Sequence, residues 1–346
     1  MPERETDVRR LPDLAGVVLG GSVVFANDES FAAAHNLIAP GAAVHDPADF
    51  SYRGKVYDGW ETRRRRTPGE DFAIVRLAAP GIVRAVEVDT AHFTGNYPPF
   101  ASVEATTLLG YPTPDELLAA EWTTLVDKSS LEGDRANLLP VTAPDRLVTH
   151  VRLTIHPDGG VARLRAFGEL IADPRLLGGR VDLASVLHGG RVEACSNLFY
   201  SSPANVLAPG RARVMSDGWE TSRRRDDGND WLTIRLAAPG VLHDVVIDTS
   251  RFVANAPGWA RLSDAETGAE LLPRTRLLPD TEHRYRITSL AIVRVVRLDI
   301  YPDGGLSRLR LNGTVPEDQH QQLAQRWLDL LPPDQAAAVA HDHLFE

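Results

Sequence analysis

Two stretches of this chain place charged side chains densely enough to do chemistry: DGWETRRRR at 58–66 and DGWETSRRR at 217–225. Arginine presents a planar fork of donors that matches a carboxylate, so a run of arginines beside acids can grip a small anion. The acids are present. Asp58, Glu61, Asp71 and Asp89 lie near the first run and recur as Asp217, Glu220, Asp230 and Asp248 near the second. Two readings compete. One is a structural network of ion pairs, kept in both copies because both have the same fold. The other is an anion-binding floor with proton-transferring carboxylates beside it. Exposed ion pairs contribute only about 0–1 kcal/mol each, so stability alone is a weak reason for so dense a cluster.

The copies differ where a site would be shaped. DTAHFTGNYPP (89–99) corresponds to DTSRFVANAPG (248–258). Asp89, Thr90 and Asn96 persist, whereas His92 becomes Arg251, Gly95 becomes Ala254 and Tyr97 becomes Ala256. Gly-Asn-Tyr-Pro-Pro reads as a shaped loop. Histidine is the side chain suited to proton transfer near neutral pH, which makes His92 a candidate acid or base, against the plainer reading of an ordinary satisfied or exposed histidine.

Other chemistries lack signatures. There is no HExxH, no paired-cysteine motif, no GxSxG and no GxGxxG. The HDH at 341–343 looks ligand-like but belongs to a terminal tail. No metal and no cofactor is expected. Asp+Glu 47 against Lys+Arg 37 gives a net charge of -10, which disfavours nucleic acid as a partner. The single cysteine, Cys195, excludes an intrachain disulfide and fits a reducing, cytoplasmic compartment. Cys195 itself reads as a small packing residue more than as a nucleophile.

The elements that must hold these residues come in two sets. DFAIVRLAAPG (71–81) matches DWLTIRLAAPG (230–240), and RLTIHPDGGVARLRAFG (152–168) matches RLDIYPDGGLSRLRLNG (297–313). LAGVVLGGSVVFA (14–26) imitates the apolar core of a signal peptide, but DLASVLHGGRVEAC (182–195) repeats it in mid-chain, so it reads as part of the fold. No stretch approaches the roughly 18 apolar residues of a membrane span. Ala73, Val75 and Leu77 alternate with Arg76, and Val151, Leu153 and Ile155 alternate with Arg152 and Thr154. That period of two predicts half-buried antiparallel strands. AAPG (78–81, 237–240) and PDGG (157–160, 302–305) read as turns between strands. Thr113, Pro114 and Glu116 predict a short capped helix inserted in the first copy. The fold class is therefore all-β: two tandem β-sandwich modules at 1–170 and 178–315, with a linker near 169–181 and a helical tail at 316–346. Leu323, Trp327 and Leu330 give the tail an apolar stripe, expected to pack on a neighbouring domain or on a second subunit of a homo-oligomer.

DGWETRRRR, VDTAHFTGNYPP, the second DGWET and IYPDGGLSRLR, in this order from about residue 13 to 313, resemble the allantoicase family. The resemblance implies two jelly-roll modules of galactose-binding-like type. It also implies hydrolysis of allantoate to ureidoglycolate and urea in allantoin breakdown and nitrogen assimilation. Allantoate is a carboxylate flanked by two ureido arms. On that premise Arg64 or Arg65 takes the carboxylate, Asn96 and Tyr97 orient the ureido arms, and Glu61, Asp89 or His92 moves protons. A second set, Asp217, Glu220, Arg223, Arg224 and Asp248, stands in copy two. There VANAPG departs from the family's Gly-Asn-aromatic-Pro loop, which favours copy one for the chemistry. The rivals are a non-catalytic sugar- or anion-binding jelly roll, using Trp60, Trp219, Trp231 or Trp259 as platforms, and a ureidohydrolase for another ureido substrate.

Overall fold

The computed structural model describes residues 8–52 and 54–341. The chain divides into two compact units: the first runs to Ile171 and takes in Leu330–Pro332, and the second holds Ala172–Asp329 and resumes at Pro333. The first contains β1 (Ser22–Ala26), β2 (Phe50–Ser51), β3 (Gly54–Lys55), β4 (Trp60–Glu61), β5 (Asp71–Asp89), β6 (Phe100–Thr106), α1 (Pro114–Ala119), β7 (Thr123–Ser130), β8 (Ala136–Pro140), β9 (Val148–His156), β10 (Gly160–Val161) and β11 (Arg163–Leu170). The second contains β12 (Arg180–Asp182), β13 (Arg191–Cys195), β14 (Trp219–Glu220), β15 (Asp230–Asp248), β16 (Trp259–Asp264), β17 (Glu270–Arg276), β18 (Glu282–Arg286), β19 (Ile292–Tyr301), β20 (Gly305–Leu306) and β21 (Arg308–Thr314), followed by α2 (Glu317–Leu330) and α3 (Pro333–His341).

Each unit is a jelly-roll β-sandwich organised around one long strand. The first half of β5 pairs with β1 and β9, and β9 continues the sheet through β6 to β7. The second half of β5 pairs with β11 and β8. β15 repeats this, its first half beside β13 and β19 and its second beside β21 and β18. Side chains alternating inward along these strands form the core, with Ala73, Val75, Val151, Leu153 and Ile155 fully buried.

AAPG, expected as a turn, lies inside the long strand in both units, at a shift in register between Arg76 and Gly81 and again between Arg235 and Gly240. Pro80 has no N–H to give a ladder, so the strand leaves one sheet there and joins the other. Ala78 and Ala237 are not orphaned by this. Their N–H groups donate to Leu14 O and Leu183 O, each at 2.8 Å. The 13–26 segment that imitated a signal core is thus a backbone partner of the crossover. The capping box of α1 forms as its sequence predicts, Glu116 N donating to Thr113 Oγ1 at 3.3 Å and Thr113 N to Glu116 Oε2 at 2.7 Å. In the tail, the central residue of the α2 stripe packs beside the 174–175 segment. Trp327 is buried, with the Arg175 guanidinium 5.3 Å from its ring centroid, and His320 Nε2 lies 2.7 Å from Pro174 O. Residues 342–343 of the HDH stretch lie outside the described residues.

Candidate active site

Trp60 begins the site by anchoring it. Its indole is fully buried and donates to Asp28 O at 2.8 Å, so the residue after it, Glu61, is held at a fixed place on β4. Trp219 does the same for Glu220, donating to Asn197 O at 3.0 Å. Both tryptophans are core residues and offer no platform to a sugar. β4 pairs with β10, Glu61 opposite Gly160, which sets Glu61 beside the PDGG turn. Thr62 then locks to that turn, its N–H donating to Gly159 O at 3.1 Å while Gly159 N donates to Thr62 Oγ1 at 3.1 Å.

The 94–99 loop closes against the same turn. Gly160 N donates to Asn96 O at 2.8 Å. Gly159 has φ near +143°, and a Cβ there would come within 2.7 Å of both Asn96 O and Pro98 N, so only glycine fits the clamp. This brings the Asn96 side chain onto Glu61, Nδ2 donating to Oε1 at 2.6 Å. Glu61, Thr62, Arg64, Arg65, Asn96, Tyr97, Phe31 and Asp158 share one cleft of about 410 Å³. Small-molecule sites commonly span roughly 300–1,000 Å³, so the volume suits a compact ligand.

The arginines divide. All four follow β4 in a loop. Arg63 Nε pairs with Asp28 Oδ2 at 3.0 Å. Arg65 points its guanidinium at the buried Asp71 carboxylate, and its N–H donates to Asp158 Oδ2 at 2.9 Å. Arg64 lines the cleft, exposed, with no ion-pair partner among the described residues. Of the two arginines expected to bind an anion, Arg65 has its charge compensated by Asp71 and Arg64 does not. Burial raises the Glu61 carboxyl above the usual range for a glutamate, and the Asn96 amide pulls it partway back by donating to the charged form.

Two expected acid–base residues do not line this cleft. Asp89 ends β5 opposite Arg163, and its Oδ1 accepts from Ala91 N at 2.9 Å, which makes it the cap of the following turn. His92 sits in the left-handed region at φ 68°. Its N–H donates to Asp134 Oδ1 at 2.7 Å, and its Nε2 lies 3.1 Å from Ala43 O. Arg251 holds the same conformation in copy two, at φ 72°. Asp158 was read only as a turn residue, yet it forms a cleft wall. The signal was its retention as Asp303, which likewise accepts from Arg224 N, at 2.7 Å.

In the second unit Asn255 Nδ2 donates to Glu220 Oε1, and Arg224 pairs with the buried Asp230 at 3.0 Å. Arg223 is exposed without an ion-pair partner among the described residues, like Arg64. Asp217 is taken by Arg213 at 3.3 Å, and the buried Asp248 caps Ser250 N at 2.8 Å. Glu220, Asn255 and Arg224 thus repeat the copy-one arrangement, while Asp217 and Asp248 are committed to local structure.

Comparison with known proteins shows the family. A family model described as the allantoicase repeat matches twice, at residues 12–171 and 181–316. A probable allantoicase of Nocardia farcinica is 54% identical over 310 residues, covering 88% of this chain and 94% of that protein. One from Streptomyces coelicolor is 49% identical over 336 residues, covering 92% and 89%. Among solved structures, allantoicase from Saccharomyces cerevisiae superimposes with a TM-score of 0.76 at 35% identity, covering 87% of this chain and 92% of that one. With both repeats matched and the relatives covered nearly end to end, the chain belongs to the allantoicase family.

Proposed function

We propose that this protein is an allantoicase that hydrolyses allantoate to ureidoglycolate and urea, within allantoin breakdown, and that the first unit carries out the chemistry. One observation carries the assignment of residues. A half-buried glutamate with a raised pKa and an arginine without an ion-pair partner among the described residues share one small cleft, and the Asn96 amide donates to the glutamate.

In this reading Arg64 takes the substrate carboxylate as a fork of paired hydrogen bonds. Asn96 and Tyr97 orient the ureido arms, the amide offering both a donor and an acceptor. Cleavage breaks the bond between the central carbon and one ureido nitrogen. Water supplies the hydroxyl that remains on that carbon, and its proton leaves with the nitrogen as urea. Glu61 performs both halves of the transfer, taking the proton from water and returning it to the departing nitrogen. A carboxylate that has taken a proton from water is the acid that can return it to the leaving group. Asp89 and His92 shape the loop and are not assigned proton transfer. Glu220, Asn255 and Arg223 form a related second set that lacks the tyrosine. No helix among the described residues is long and apolar enough to cross a membrane. The single cysteine supports a reducing, cytoplasmic setting.

The test is direct. Purified chain is incubated with allantoate, with and without chelator, and urea is measured. Urea and ureidoglycolate are expected in equal amounts in both conditions. Binding of allantoate without urea release would favour the non-catalytic reading, and turnover of ureidoglycolate instead would favour the divergent ureidohydrolase.

A further inference from the structure

The two copies carry complementary differences at two places that touch. In copy one, Thr90 Oγ1 donates to Glu132 O at 2.6 Å and to Arg135 O at 3.0 Å. In copy two, Thr249 Oγ1 donates to Leu278 O at 2.6 Å and to Thr281 O at 3.0 Å. His92 N donates to Asp134 Oδ1, and Arg251 N to Asp280 Oδ1. These bonds align 132–135 with 278–281 and put Pro279 in the place of Gly133. The Glu61–Asn96 and Glu220–Asn255 bonds likewise align Tyr97 with Ala256. Copy one therefore has a large residue beside a glycine, whereas copy two has alanine at the first position and proline at the second.

The contact explains the exchange. A Cβ built on Gly133 would lie 2.4 Å from Tyr97 Cε1 and 2.5 Å from Cδ1. No left-handed backbone requires glycine at residue 133, so the demand is for space. With that space left open, the Tyr97 ring rests flush on the 131–134 turn, packs on Phe93 and Ala43, and lines the cleft beside Glu61. Its hydroxyl has no hydrogen-bond partner among the described residues.

We infer that Gly133 is a positioning residue: by yielding space it holds the Tyr97 ring at the cleft wall, and this pair gives copy one a substrate-orienting surface that copy two has lost. The kinetic part of the inference rests on the allantoicase reading, and the packing part does not.

A double-mutant cycle tests both. Gly133→Ala, Tyr97→Ala and the combined variant are assayed for urea release from allantoate, and each is also unfolded thermally. A methyl at 133 is expected to push the ring out of place and raise KM about tenfold, as loss of one well-placed aromatic contact would, with kcat little changed. Tyr97→Ala is expected to do the same. The combined variant is expected to match Tyr97→Ala in KM, because the methyl then meets no ring and only Phe93 O, at 3.0 Å. Gly133→Ala should lower Tm much more in the wild-type background than in the Tyr97→Ala background. Wild-type KM in Gly133→Ala, or losses that multiply in the combined variant, would overturn the inference. If the unaltered chain releases no urea, the proposed activity fails, and the thermal cycle alone decides the packing: equal Tm losses in both backgrounds would overturn it.

Discussion

Arg64 and Arg65 are adjacent, chemically identical and placed in opposite roles. Arg65 compensates a carboxylate that is 1% exposed, whereas Arg64 faces the cleft with its charge uncommitted. Replacing each by methionine should separate them. Arg65→Met strands the buried Asp71 charge and is expected to cost about 3 kcal/mol of stability by chemical denaturation. Arg64→Met should leave stability unchanged and raise KM for allantoate roughly thirtyfold, the loss of a charge-assisted hydrogen bond of about 2 kcal/mol. The reverse pattern would mean that the two roles are exchanged. Glu61→Gln should keep KM and lower kcat by about 10² or more, as general acid–base residues do. Asn96→Ala removes a donor that favours the charged carboxylate, so the Glu61 pKa should rise further. The ionised base is then lost at higher pH, and the acidic limb of the kcat/KM profile should move upward. An unmoved limb would take Glu61 out of the proton-transfer role.

At the scale of elements, much of the arrangement could be read from residues and some could not. The capping box at Thr113 and Glu116, the PDGG turns and the alternation in β5 and β9 depend on local chemistry, and local chemistry is written in sequence. AAPG was misread because a proline with small neighbours has the same local signature whether the chain reverses or crosses between sheets. Only the distant partner, Leu14 O, distinguishes the two. Asp89 looked like a site residue as an acid near the arginine run, and His92 as a histidine able to move protons. Asp89 is instead committed to the turn after β5, and His92 to a left-handed position bonded to Asp134 and near Ala43, which neither residue type announces in sequence. Asp158 was hidden for the opposite reason, being distant in sequence from the arginines it holds.

At the scale of the whole molecule, one buried base couples folding to acidity. His150 is 1% exposed, and its pKa is lowered to about 4, chiefly by burial and secondarily by the Arg76 charge. The folded state therefore keeps it neutral where the unfolded chain, near 6.5, binds a proton. Below about pH 6.5 the unfolded state takes up more protons, so stability should fall as pH drops from 6.5 toward 4, by on the order of 2–3 kcal/mol. Denaturant midpoints measured at several pH values across this window check it, and His150→Gln should flatten the dependence.

The shared strand has a mechanical consequence. Because β5 runs through both halves of its sandwich, neither face can peel off while the other stays zipped. Deuterium uptake along residues 71–89 should therefore rise in a single step, the amides of Ala73 and Val88 losing protection together. A unit stitched in this way opens as one block, which keeps the loops of the cleft on a frame that does not fray from one side.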